Sequence, residues 1–410
     1  MLSSPLVLAD PIKFDIKGEA AILMNADTGS ILFEQEAYTP KYPASTTKIG
    51  TAIYAMKLKG SHLEMQITAE QDSLGTITQE KKRKSNYTIP GYRLEPDGVH
   101  IGIKKGEVLS LRDLMGAMLI HSACDASNVI AQALGPTIPT FMDGLNAYLK
   151  EIGCQKTHFV NPHGLHDPKH ESTAYDLALM ARVALKSPVI SQIVLQTRFL
   201  RPKTNKQQST TYLQTNRLIR PGKFFYQKAI GVKTGYHAKA KRTLVAAARS
   251  DGRTLIAVLL GYQDRNAIFE DAKKLFETAF NQPKIQKVYL REGMQSFTQT
   301  LSKADNVLQT YLSEPLTLEF YPAEDPKAKC LLYWQIPSLP ILRGQQVGLL
   351  QLVSAKGDLL KQVPLLSGVD VDLSWPYNWI SVLLSHIWEV IGVLGCITAA
   401  FLGLLWKKAR

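Results

Sequence analysis

The sequence predicts an α+β chain followed by an all-β domain and an apolar C-terminal helix, on three observations. Strand-like apolar runs lie near the start and again around 243–260, and amphipathic helical segments fill the stretch between them. After Pro283 the pattern changes to short strands broken by Gly, Pro and Asp, and the last thirty residues are the most apolar of all. A length of 410 residues suits two or three domains of about 150 residues each. At 45% hydrophobic and 20% charged, the chain can bury large cores, which excludes a wholly disordered or collagen-like protein. The net charge of +13 suits an anionic partner such as nucleic acid, membrane surface or wall polymer, without choosing among them. Four scattered cysteines with no C-x-x-C pair argue against a disulfide scaffold and a thiolate zinc site.

The elements follow in order. The first ten residues, M-L-S-S-P-L-V-L-A-D, read as a signal remnant without a basic region, so residues 1–17 are set apart. A-I-L-M and I-L-F-E flank the turn A-D-T-G-S, which predicts a hairpin over Ala20–Glu36. Ser45–Met56 has Ile49, Ala52, Ile53 and Met56 at helical spacing. Residues 66–108 form a polar, loop-rich stretch, and its run Lys81–Lys84 reads as an inserted loop or hairpin at a cleft entrance. Ser110 with Asp113 signals the start of a second helix, and Ala174–Leu185 is a third. L-V-A-A-A and T-L-I-A-V-L-L around Ser250-Asp251-Gly252 predict a strand pair. A helix follows, with Ile268, Ala272, Leu275, Phe276 and Ala279 on one face. The expected division is 18–282 for a catalytic domain, 283–374 for an all-β domain and 375–410 for a membrane anchor. The anchor rests on the uncharged run Val390–Trp406, the flanking tryptophans and the basic residues Lys407, Lys408 and Arg410, which place the tail end in the cytoplasm and the bulk of the chain outside it. A helix lying in the interface plane is the alternative.

Three short strings carry chemistry. In Ser45-Thr46-Thr47-Lys48 a hydroxyl and an amine lie on one helical turn. A lysine kept neutral by burial or by a second cation can take the serine proton and make it a nucleophile. Ser122-Ala123-Cys124 follows an apolar helix. Lys233-Thr234-Gly235 opens a strand, where an amine and a hydroxyl can hold a carboxylate and the glycine allows close approach. Each string is weak alone. His163, His166, Asp167, His170 and Glu171 suggest a metal site, but Gly164 and Pro168 interrupt any helix that would align them, so no metal is expected.

Together, S-x-x-K, S-x-C and K-T-G approach the S-x-x-K, S-x-N, K-T-G set of class A β-lactamases and penicillin-binding proteins. With A-D-T-G-S-I-L-F-E, P-A-S-T-T-K-I-G-T, F-V-N-P-H-G-L-H-D-P, S-T-A-Y-D-L-A-L-M-A-R and I-G-V-K-T-G-Y, the stretch from about Gly18 to Asn281 closely resembles the low-molecular-mass D-alanyl-D-alanine carboxypeptidases. That resemblance implies an antiparallel sheet flanked by helices, with K-T-G on an edge strand beside the cleft. It implies Ser45 as nucleophile, Lys48 as its base and Ser122 as proton relay assisted by Lys233. Lys233 and Thr234 would bind the terminal carboxylate, and the backbone N–H groups of Ser45 and Tyr236 would form an oxyanion hole. Gly235 and Cys124 complete the expected substrate-binding set. The implied partners are a peptidoglycan stem peptide, β-lactam antibiotics and a membrane, with no nucleic acid and no cofactor.

Cys124 stands where the family usually has asparagine, and a thiol is a poor substitute for an amide that donates and accepts. A looser grip on the substrate backbone leaves room for transpeptidation or cross-link cleavage. His237, Lys239, Lys241 and Arg242 after K-T-G read as a cationic strand edge suited to an acidic acyl donor or the anionic wall. A class A-like β-lactamase and a non-catalytic wall-binding protein are the other readings.

Overall fold

The computed structural model describes residues 12, 14–375 and 377–408, so most of the expected signal remnant lies outside the described residues. The chain divides into two compact units, one of 1–283 with Pro322–Glu324 and one of 284–321 with 325–410.

The first unit is built on a five-stranded antiparallel sheet. Its strands run in the order Ile31–Gln35, Ala20–Asn25, Arg253–Tyr262, Lys241–Ser250 and Ala229–His237, which puts K-T-G on an edge as expected. Side chains alternate along a strand, so each strand serves two cores. Ile22, Val245, Ile256 and Val258 face the helices Lys48–Lys59, Cys124–Leu134, Ile138–Glu151 and Ala174–Lys186. Leu23, Leu244, Ala246 and Leu259 face the helix Ala267–Phe280. Cover on both faces explains why R-T-L-I-A-V-L-L-G-Y is buried along its whole length and shows no polar alternation.

The helix starts follow their capping signals. Ser110 Oγ accepts from the Asp113 N–H, and Thr173 Oγ1 from that of Asp176. The helix from Leu111 winds into a wider π turn over Ala117–His121 and ends at Ser122, whose φ is +75°. The basic run 81–84 departs from its expected form. It is a short helix, Gln79–Lys84, rather than a loop or hairpin. Lys82 is buried there, with Nζ 2.7 Å from the Arg93 carbonyl and 3.1 Å from Glu95 Oε1. A buried carboxylate turned one lysine of an apparently solvated run inward.

The second unit holds a five-stranded antiparallel sheet ordered Gly293–Gln299, Leu308–Leu312, Leu359–Ser367, Gln346–Val353 and Lys329–Trp334. A two-stranded ladder pairs Ile285–Leu290 with Leu316–Phe320. Its core is aliphatic, around Leu308, Leu350, Leu365 and Val371. The tail forms two helices, Tyr377–Ser385 and Ile387–Lys408. Among the described residues no single helix is long and apolar enough to cross a membrane. Among the described residues the apolar helical stretch of the tail is Ile391–Leu402, and a break at His386 separates the two tail helices.

Candidate active site

Ser45 sits in a 3₁₀ turn, Ala44–Thr47, that leads into the helix Lys48–Lys59. The turn is held tightly. Ala44 takes a left-handed φ of +49°, which an alanine adopts only where its surroundings enforce it. Pro43 O accepts from Thr46 Oγ1 at 2.7 Å and from Thr243 Oγ1 at 2.9 Å. Thr47 Oγ1 donates to Ala44 O at 2.8 Å and lies 2.8 Å from His170 Nε2. With the threonine proton committed, His170 donates from Nε2, while its Nδ1 accepts from the Val160 N–H at 3.0 Å. Both ring nitrogens then suit a neutral imidazole, and burial holds the pKa of His170 well below its usual value.

The loop 158–171 therefore serves as scaffold. His163 Nδ1 accepts from the Leu165 N–H, and its Nε2 lies 3.1 Å from Tyr92 O. Its carbonyl receives Lys48 Nζ at 2.6 Å. Gly164 has φ +85°, and a Cβ there would meet Ala44 O at 2.0 Å. The described residues contain no group of three or more His, Cys, Asp or Glu arranged to hold a metal ion.

Lys48 is fully buried, and its Nζ lies 2.9 Å from Ser45 Oγ and 3.4 Å from Cys124 Sγ. Burial lowers its pKa, a pull that Cys124 and Asp125 oppose. Lys233 is also fully buried, with Nζ 3.0 Å from Ser122 Oγ and 2.8 Å from Thr234 O. Burial first, and then the charge of Lys48, hold its pKa well below that of an ordinary lysine. Two buried amines, one of them discouraging the other's protonation, thus flank two hydroxyls.

Gly235 brings the edge strand against the nucleophile turn. A Cβ there would stand 2.4 Å from Thr243 Oγ1 and 2.8 Å from Ser45 N. Thr234 Oγ1 donates to Thr215 Oγ1 at 2.8 Å, and Tyr236 is exposed beneath the Arg242 guanidinium. A cleft of about 230 Å³ is lined by Ser45, Ser122, Thr234, Gly235 and Tyr236 among others. Cys124 is 2% exposed and touches the lysine behind the nucleophile, so it does not stand on the wall of this cleft.

Several cleft residues escaped the sequence reading. Val99 enters because Cys124 N–H donates to its carbonyl at 2.8 Å and the Asp125 carboxylate accepts from the N–H groups of Ile101 and Ile103. Thr215, Arg217 and Arg265 arrive on loops with no motif of their own. Thr215 is tied to the Ser122 turn through its N–H to Ile120 O at 3.1 Å. Of the cationic edge after K-T-G, Lys241 pairs with Glu19, which Lys41 also contacts, and Arg242 lies over the Tyr236 ring. His237, packed beside His166, has its pKa pushed down to about 4, chiefly by burial.

Residues 7–264 match the peptidase S11 family, D-alanyl-D-alanine carboxypeptidase, and the chain belongs to that family. It is 29% identical over 362 residues to D-alanyl-D-alanine carboxypeptidase DacF of Bacillus subtilis (strain 168), covering 87% of this chain and 86% of the relative. Penicillin binding protein 5 from Haemophilus influenzae shares the fold, with a TM-score of 0.59 at 22% identity over 88% of this chain and all of that one. The Streptomyces K15 DD-transpeptidase matches at a TM-score of 0.56 and 26% identity, covering 66% of this chain and 99% of that one.

Proposed function

We propose that this chain is a serine D-alanyl-D-alanine carboxypeptidase that removes the terminal D-alanine from peptidoglycan stem pentapeptides and is acylated by β-lactams at Ser45. The observation that carries the reading is the buried Lys48 amine 2.9 Å from Ser45 Oγ, with Ser122, contacted from behind by Lys233, on the wall of the same cleft. Ser45 Oγ attacks the carbonyl carbon between the two D-alanines and gives its proton to neutral Lys48. Backbone N–H groups of Ser45 and Tyr236 hold the oxyanion, each worth about 3 kcal/mol in the transition state. The substrate carboxylate favours the charged form of Lys233, and as the C–N bond breaks the leaving amine takes a proton through Ser122 from Lys233. Thr234 and Lys233 hold its carboxylate. Water then cleaves the ester, its proton replacing the one lost to the amine, and Ser45 Oγ recovers the proton held on Lys48. In a β-lactam the severed nitrogen stays tethered, so the acyl-enzyme persists.

Incubation with a stem pentapeptide should release D-alanine and leave a tetrapeptide, and penicillin should block the release. A pentapeptide that stays intact overturns the reading. Transfer to an amine or cleavage of cross-links is the second reading, favoured by Cys124 at the usual asparagine position and by the relative named a transpeptidase. The tail attaches the protein to a membrane, with the first unit on the outer side where peptidoglycan lies. Exposed Ile391, Leu394, Ile397, Phe401 and Leu402 support that attachment. Flotation of the full chain with lipid vesicles, lost on replacing these residues by serine, checks it.

A further inference from the structure

The five-stranded sheet of the second unit has two edges, and they are finished differently. At one edge, Gly293–Gln299 is mostly polar and shifts register between Gln295 and Thr298. Gln295 Nε2 there donates to the carbonyls of Arg291 and Gly293 at 2.9 and 2.8 Å. A bulge and polar side chains blunt an edge against further pairing. At the other edge, Lys329–Trp334 reads K-C-L-L-Y-W and holds unbroken register with Gln346–Val353. It has no proline, no bulge and no charge after Lys329. Among the described residues no backbone group pairs with its outer side.

The free groups of this edge follow from the ladder. The Gln335 N–H donates to Val347 O at 2.8 Å, in the same register that sets Tyr333 opposite Leu349. Antiparallel ladders alternate, so Leu331 and Tyr333 also bond toward Gln346–Val353, while the N–H and C=O groups of Cys330, Leu332 and Trp334 point away from the sheet. Leu331 and Tyr333 are 37% and 48% exposed on the solvent face, whereas Leu332 and Trp334 lean on the aliphatic core. A second copy related by a two-fold axis through Leu332 satisfies this pattern. Leu332 then meets Leu332 of the second copy and Cys330 meets its Trp334, and these pairs exchange about six N–H···O bonds. Between them each Leu331 packs on the Tyr333 of the other copy, an aliphatic–aromatic pair on the exposed face. The charge at the end of the edge causes no conflict. Lys329 falls opposite Gln335 of the second copy, about 20 Å from the second copy's Lys329.

We propose that this chain forms a two-fold symmetric dimer in which the Lys329–Trp334 edges of two copies join into one continuous sheet. A second copy fits better than a strand of another protein because this edge complements itself. The same five apolar residues supply both sides of the contact, and its basic residue keeps clear of its symmetry mate. The contact is isologous and closes at two copies, since the opposite edge of the sheet is blunted. The inference is independent of the acyl-enzyme reading above and goes beyond it.

The test is sedimentation of the full chain in a mild detergent over a range of concentrations, for wild type, Leu332→Pro and Tyr333→Lys. Proline at 332 removes an N–H that points away from the sheet, and Tyr333→Lys changes an exposed side chain. Both should keep the fold, which a circular-dichroism melt checks. Wild type should pass from monomer to dimer and stop there, and the dissociation constant should rise about 10-fold or more in each variant. A wild type that stays monomeric, one that grows beyond a dimer, or a dimer equally tight in both variants overturns the inference. Cross-linking reads the register. With Cys330 and Cys396 replaced by serine, Leu331→Cys and Tyr333→Cys together should give a covalent dimer under mild oxidation, because opposed residues there have Cα atoms about 4.5 Å apart. Either cysteine alone should not, its counterpart lying two positions along and about 7 Å away. Covalent dimers from the single variants and none from the pair would also overturn it.

Discussion

At the scale of the residue, the chemistry depends on an amine that is neutral while a hydroxyl lies beside it. Burial lowers the pKa of Lys48 from the ordinary 10.5, and only the unprotonated amine can accept the Ser45 proton. The rate of penicillin acylation should therefore rise with pH with its midpoint below pH 10.5, because the buried amine loses its proton at a lower pH than a free lysine. A pH profile of the second-order acylation rate checks this, and a limb centred on the ordinary lysine value contradicts it. Cys124 poses a separate question, since its sulfur faces Lys48. Cys124→Asn restores an amide donor and acceptor at that place. Because Cys124 opposes the lowering of the Lys48 pKa, the substitution should move the rise of the acylation rate to lower pH while Ser45 still forms its penicillin adduct, as a pH profile beside labelling would show. The motif serines and lysines were legible because their chemistry is local. The neutral state of His170 was not, because its two partners, Thr47 and Val160, come from distant parts of the chain.

At the scale of the element, the nucleophile turn is shaped by two glycines on other segments. Gly164 passes under Ala44 O, and Gly235 passes beside Ser45 N. A methyl group at Gly235 would press on the Thr243 hydroxyl and on the Ser45 backbone nitrogen, so Gly235→Ala should displace Ser45. The acylation rate should drop about 100-fold, read by stopped-flow labelling. The helix Gln79–Lys84 gives a second case, because its buried Lys82 pairs with a buried Glu95. Lys82→Ala leaves that carboxylate alone and should cost about 3 kcal/mol of stability, seen as a lower denaturation midpoint. Exposed Lys81 and Lys84 should tolerate the same change. Hydrophobic periodicity made the helices and the central strands readable. It could not reveal which lysine of K-K-R-K turns inward, since that depends on Glu95 further along the chain.

At the scale of the whole molecule, segments far apart in sequence complete each unit. Pro322–Glu324 belongs to the first unit although it follows Pro283, and there Glu324 pairs with Arg253 and accepts from Asn25 Nδ2 at 3.1 Å. Glu324→Ala should therefore destabilise the first unit, by about 1–3 kcal/mol, because Arg253 and Asn25 lose a part-buried carboxylate partner. Hydrogen exchange localised to residues 20–25 and 253–262 would report it. The composition change after Pro283 located the all-β segment, but nothing in P-A-E marks a return to the first unit. Likewise, the apolar tail was legible as apolar, while its break at His386 was not. The central claim is that three motifs from distant parts of the chain form one acylating site at Ser45. Intact-protein and peptide mass spectrometry after benzylpenicillin treatment tests it most directly. One penicillin mass per chain is expected, carried by the peptide containing Ser45 and absent from Ser45→Ala; an unmodified wild type, or an adduct that survives in Ser45→Ala, would show that Ser45 is not the acylated residue.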